Sequence, residues 1–336
     1  MIKASMTATV IGIVASILTA GTAMAQDMKP AIVFDRGGKF DKSFNEAAYN
    51  GIEKFKKETG IDYRDFEITN DAQREQAMQR FARDGHNPVV VIGFSFGTAL
   101  EKVAKEFPNT RFTIIDSKID APNVRSALFT EHEGSYLVGV MAGLASKSGK
   151  VGFVGGMDIP LIRKFSCGFV QGVKAAKPGA EIIQNMTGNT GAAFNDPAKG
   201  AELAKSQLDR GADVIYHAAG ATGIGVLRTV ADAGKLGIGV DSNQNGLHPG
   251  KVLTSMLKRV DVAVYSTMVD MKSGKWTPGV SIYGLPQDGV GYALDDNNKA
   301  LVSAEMKAAV DKAAADIKSG AIKVHDYMSN ATCPVQ

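Results

Sequence analysis

"VVVIGFSFGTALEKVAKEFPNTRFTIIDS", residues 89–117, and "DVIYHAAGATGIGVLRTVADAGKLGIGVDS", residues 213–242, follow one plan. Each opens on a short apolar run and passes through a small-residue turn, "FSFG" (94–97) or "HAAG" (217–220). Each then enters a helical pattern and returns to an apolar run that ends in Asp-Ser, at Asp116-Ser117 and Asp241-Ser242. Apolar runs without polar alternation are expected of parallel strands covered on both faces.

The same alternation extends outward. "AIVFD" (31–35) and "YRDFEIT" (63–69) precede the first stretch, and "VGFVGG" (151–156) and "AEIIQNM" (180–186) precede the second. Helical spacing separates them. "FNEAAYNGIEKFKKETG" sets Ala48, Ile52 and Phe55 three and four residues apart and stops at Gly60. The pattern predicts an α/β chain built as two doubly wound parallel-sheet lobes of one plan. In such sheets ligands bind beyond the carboxyl ends of the strands. Asp35, the 94–97 turn with Phe96, Asp116, Gly220 and Asp241 stand at those ends, so a ligand cleft between two facing sheet edges is expected. Beyond residue 250, "KVLTSMLKRVDVAVYSTMVDMKSGKW" reads as a strand and a helix that returns to the first lobe. "SIYGLPQDGVGYA" reads as a further crossing. This assigns 27–128 and 256–283 to an N-terminal lobe, and 129–255 and 284–336 to a C-terminal lobe.

The 336 residues suit two domains of ordinary size. A chain 44% hydrophobic and 22% charged is globular, not disordered. The net charge of +3 comes from scattered Lys and Arg and gives no basis for nucleic-acid binding. Residues 1–25 are different material. Lys3, a largely apolar run and Ala23-Met24-Ala25 before Gln26 read as a cleaved secretory signal peptide. No cysteine stands near the cleavage site to accept a lipid, so a periplasmic, unlipidated, freely diffusing monomer is expected. Cys167 and Cys333 are the two cysteines. An oxidising compartment permits a disulfide between them, and the sequence leaves open whether they meet. Metal-site spacings, a Walker motif and a nucleophile elbow are absent. The turn after the first strand is "DRGGKFDKS", not G-x-G-x-x-G. A cofactor enzyme is disfavoured, and no cofactor is expected.

"FDRGGKFDKSFNEAAYNG" (34–51) places two phenylalanines among polar groups at a helix entrance. Ser43 followed by Glu46 has the form of a capping box, with Ser43 at the N-cap and Phe44 and Asn45 in the first turn. Phe44 then either faces the cleft or packs beneath the loop. A second setting of the same kind favours the cleft. "FNDPAKG" puts Phe194 just before Asn195, Asp196 and Pro197, with Asp196 a candidate N-cap and Pro197 at N1. One phenylalanine per lobe could close on both faces of a planar ring.

"DRGGKFDKSFNEAAYNG", "GFVGGMDIPLIRKFSCGFVQGV", "FNDPAKG" and "VDSNQN" together resemble the basic membrane protein family, substrate-binding proteins of ABC importers similar to the purine nucleoside receptors. The resemblance covers essentially the whole chain after the signal peptide. It implies the type I periplasmic binding protein fold with three crossings, a permease partner, and a purine nucleoside or free purine base as ligand. It further implies that Phe44 and Phe194 sandwich the base, that Asp35 and Asp116 read its polar edges, that Gly220 lies in the small-residue turn, and that Asp241 and Lys258 hold the ribose hydroxyls. A carboxylate beside an ammonium suits a diol. A pentose or hexose receptor of the same fold is the alternative.

Overall fold

The computed structural model describes residues 1–2 and 28–335. The signal peptide read at 1–25 therefore lies, but for its first two residues, outside the described residues.

The first lobe starts with β1 (Ala31–Phe34), α1 (Phe44–Thr59), β2 (Arg64–Glu67), α2 (Gln73–Arg83) and β3 (Val89–Val91). It continues with α3 (Gly97–Glu106), β4 (Phe112–Ile115) and β5 (Val124–Phe129). The second lobe follows with α4 (Glu131–Ala145), β6 (Lys150–Met157), α5 (Pro160–Ala176), β7 (Glu181–Gly188) and α6 (Pro197–Asp209). Then come β8 (Val214–Ala218), α7 (Thr222–Asp232), β9 (Leu236–Asp241) and β10 (Val252–Lys258). The chain returns to the first lobe through α8 (Val260–Lys272), which packs on α1, and β11 (Gly279–Tyr283). It ends in the second lobe with β12 (Val290–Tyr292) and α9 (Ala304–Ser319).

All eight strands expected from the two repeated sets form. The sheet orders are β11-β5-β4-β3-β1-β2 and β12-β10-β9-β8-β6-β7, so the two lobes place their strands in equivalent sequence. Every pairing is parallel except β10 with β12. Strands such as β1, β3 and β4 are buried along their whole length because helices cover both faces.

Two readings are corrected here. β5 was not expected; its "NVRSALF" surroundings carry Arg125 and Ser126, both buried. Arg125 is tolerated because it pairs with Asp270 of α8 at 2.7 Å and donates to the Thr277 carbonyl at 3.0 Å. The crossing set at 256 falls inside β10, which stays in the second sheet through Lys258. The three crossings are therefore at 129–131, 258–260 and 283–290. The only tryptophan of the chain, Trp276, sits on the α8–β11 connection. Its indole donates to Thr113 Oγ1 and lies beneath the Arg125 guanidinium, at the end of the first sheet remote from the strand carboxyl ends.

Cys167 of α5 and Cys333 form a disulfide. Among the described residues no helix is long and apolar enough to cross a membrane.

Candidate functional site

A cavity of about 350 Å³ opens where the carboxyl ends of the two sheets face each other. In each lobe the strand order reverses at one place, between β1 and β3 and between β6 and β8, and the cavity is lined from both. Volume and position suit a small organic ligand.

The loop from β1 to α1 is built around Asp41. Its buried carboxylate accepts from the backbone N–H groups of Ser43 (2.8 Å), Asn45 (3.0 Å) and Glu46 (3.0 Å). Asp41 therefore caps α1, and the capping role expected of Ser43 is corrected. The Ser43 hydroxyl instead donates to Asp241 Oδ2 across the cleft, at 2.5 Å. Ser242 Oγ donates to the Ser43 carbonyl (2.8 Å), and Gln244 Nε2 to the Lys42 carbonyl (2.9 Å). Phe44, the first residue of α1, is half-buried, packs against the edge of the core and lines the cavity.

Phe194 lines it from the second lobe, in a single 3-10 turn before Asp196. Asp196 does cap α6, accepting from Lys199 N at 2.9 Å, with Pro197 first in the helix. The ring packs against Gly156 of β6. A Cβ there would stand 2.1 Å from Phe194 Cε1, so only glycine admits the ring. Gly220 has φ +56 and its Cβ position is 3.1 Å from the Phe194 carbonyl, which explains a glycine in that turn.

Phe96 does not reach the cavity. It is fully buried in the first lobe's core, under the Arg74 guanidinium, and Phe94 lines the cavity in its place. A 3-10 turn over 94–96 sends the two rings opposite ways. Phe94 meets Phe194 edge to face, with centroids 6.4 Å apart.

Polar groups gather at two ends. At one, Asp35 accepts from Arg74 (3.1 Å), from the Arg36 N–H (2.9 Å) and from the Ser95 hydroxyl, while Asn45 Oδ1 accepts from Asp35 N. At the other, Lys258 Nζ lies 2.5 Å from Asp116 Oδ2 and 3.0 Å from Glu131 Oε1. It also sits 5.0 Å from the centre of the Phe44 ring, a cation–π distance. Asp116 and Asp241 both take left-handed backbone, φ 69 and 63, at equivalent strand ends. Burial pushes Asp241 up to about 7, against the pull of the Lys258 ammonium. Burial likewise raises Asp116, although Lys258 opposes it. Burial works against ionised Glu131 too, but the ammonium groups of Lys258 and Lys164 outweigh it and hold the carboxyl at about 2.

Of the residues expected from sequence, Asp35, Phe44, Asn45, Asp116, Phe194, Gly220, Asp241 and Lys258 line this one cavity. Ser43 stands behind Asp241, and Phe96 is in the core. Sequence reading set Phe94 at the ligand edge as part of the 94–97 turn but singled out Phe96 there, and it missed Arg74, Phe165 and Glu131. Arg74 and Phe165 are signalled only by their place on a helix face; Glu131 carries no signal, since its burial depends on a distant lysine.

Two doubly wound lobes with three crossings and a lined cleft define the type I periplasmic binding fold of solute-binding proteins. The family model described as ABC transporter substrate-binding protein, PnrA-like, matches residues 28–327, and the chain belongs to that family. It is 36% identical over 323 residues to the CD4+ T-cell-stimulating antigen of Listeria monocytogenes, covering 89% of this chain and 88% of that one. It is 35% identical over 321 residues to the ABC transporter nucleoside-binding protein BmpA of Lactococcus lactis, covering 89% of each. The crystal structure of an ABC transporter system solute-binding protein from Aeropyrum pernix K1 superposes with a TM-score of 0.81 at 29% identity, over 89% of this chain and 93% of that one.

One expectation is overturned by the relatives. Proteins of Pyrococcus furiosus, Pyrococcus horikoshii and Pyrococcus abyssi, 34–35% identical, are named lipoproteins. The reading of an unlipidated, freely diffusing protein is therefore withdrawn.

Proposed function

We propose that the chain captures a purine nucleoside or free purine base between its lobes and presents it to an ABC permease, without turnover. One observation carries the reading: Phe44 of the first lobe and Phe194 of the second line the same cavity, with Asp241 and Lys258 beside them. A planar ring enclosed by two aromatic faces gains roughly 1–3 kcal/mol per face, by analogy with base stacking. Asp116, expected at the base, pairs with Lys258 instead, so Asp116, Asp241 and Lys258 together offer acceptors and a donor suited to a ribose edge, and the Asp35–Arg74–Asn45 end suits the edge of a base. Closure of the lobes on the ligand gives the form the permease recognises. The relative named as nucleoside-binding in Lactococcus lactis supports the same class.

The test is calorimetric titration of refolded, ligand-stripped protein with purine bases, purine and pyrimidine nucleosides, ribose and hexoses. Purines bind, and Phe44→Ala and Phe194→Ala each weaken them by about 1–3 kcal/mol while leaving the fold intact. Affinity kept within about twofold in either variant would defeat the sandwich, since loss of a stacking face costs more than that. Binding of free sugars alone would defeat the ligand class.

A further inference from the structure

Lys258 has two counter-ions, and they belong to different bodies. Asp116 ends β4 in the first lobe, so it reaches Lys258 only while the lobes are together. Glu131 opens α4 in the second lobe, as Lys258 ends β10 there, and α4 packs directly on β10 and α5. Glu131 is the first residue of its helix after the first crossing; Lys258 is the last strand residue before the second. The pair is thus set into the second lobe's side of the hinge. Glu131 is itself held from α5: Lys164 Nζ lies 2.9 Å from Glu131 Oε2, donates to the Phe129 carbonyl at 2.7 Å and lies 3.6 Å from Asp326.

We propose that Glu131 is a positioning residue for Lys258, keeping its ammonium charged and aimed at the cleft floor when Asp116 has moved away with the first lobe. The assignment rests on the reading above, in which Lys258 meets the polar end of the ligand. A buried ammonium left without a counter-charge loses its proton or turns toward water. The groups facing Lys258 are Asp116 from β4, Glu131 from α4, Asp241 from β9, and the rings of Phe44, Phe129 and Phe165. Lys164 faces the network from α5, with His132 and Asp326 beyond it. Asp241 is the other second-lobe carboxylate, but Glu131 is the one that pairs with Lys258, at 3.0 Å, and burial raises Asp241 to about 7. Glu131 is held at about 2 by the ammonium groups of Lys258 and Lys164.

The experiment follows the Lys258 ¹³Cε chemical shift by NMR against pH in ligand-free protein, with Lys258→Arg to assign it. In Glu131→Gln the midpoint of its titration falls by about one pH unit or more, and Glu131→Asp sits between. In the same Glu131→Gln protein nucleoside affinity drops about tenfold, while affinity for a free base stays within about twofold. An unchanged midpoint in folded Glu131→Gln overturns the proposal. Should that variant not fold, Glu131→Asp is set against wild type, and an unchanged midpoint overturns it equally. If purines fail to bind wild type while the midpoint still depends on Glu131, the ligand reading falls and the positioning role stands.

Discussion

Asp116 and Asp241 occupy matching strand ends with matching left-handed backbone. That conformation costs a non-glycine residue about 1–2 kcal/mol, so its repetition marks the position at which each carboxylate turns from strand to cleft. Asp241 adds a pH signature. Its folded pKa, about 7, lies above its unfolded value, so the folded state holds the proton more tightly. Stability linked to this group is fully present below the unfolded value and is lost as pH rises through about 7. His217, buried and lowered to about 4, runs the opposite way over the acid part of the range, so the comparison must be with a variant. Asp241→Asn gains stability relative to wild type as pH is raised from the acid range to neutrality; urea unfolding at both ends checks it. A difference independent of pH would mean that Asp241 is ionised at both. At this scale the sequence was readable where chemistry repeats, as in the two Asp-Ser ends. It was not readable at Phe94 and Phe96, two rings on either side of one serine whose directions are set by a single 3-10 turn.

Elements were legible by their periodicity and their stops. α1 ends at Gly60, in left-handed conformation with its N–H bonded to the Lys56 carbonyl, as the spacing and the glycine indicated. Its start was misread for a physical reason. A Ser-x-x-Glu pattern has the capping form, but Asp41 two residues earlier offers two carboxylate oxygens to three N–H groups, and a charged acceptor is the stronger cap. The two roles separate by measurement. Asp41→Ala lowers stability by about 1–2 kcal/mol, and Ser43→Ala by less, since its hydroxyl serves Asp241 and not the helix. Equal losses in urea unfolding would return the cap to Ser43. β5 escaped notice because its charge is neutralised by a residue far along the chain, information no local window contains.

At the scale of the molecule, the α/β plan and the two-lobe duplication were visible because parallel strands buried on both faces leave unbroken apolar runs. The crossings were less so, because a strand that ends a lobe looks like any other strand. The disulfide was open from sequence and is a tether in the fold. Beside it on α5, Gln171 bonds both ways to the His325 backbone, at 3.1 and 2.9 Å, and Lys164 approaches Asp326, so three successive turns hold the C-terminal tail. Replacing Cys167 and Cys333 by serine costs about 2–4 kcal/mol, read by denaturation with and without reductant. A loss confined to the tail's amide-exchange protection, with no change in midpoint, would show that the tether serves the tail alone.

The indole beneath Arg125 gives the molecule an optical asymmetry. One fluorophore of its kind, placed at the base of the first lobe and turned away from the cleft, reports that lobe's melting and is blind to direct contact with a bound ring. Circular dichroism averages over both lobes. Laid over one another, the two traces say whether a body joined by three strands of chain comes apart in one step or in two.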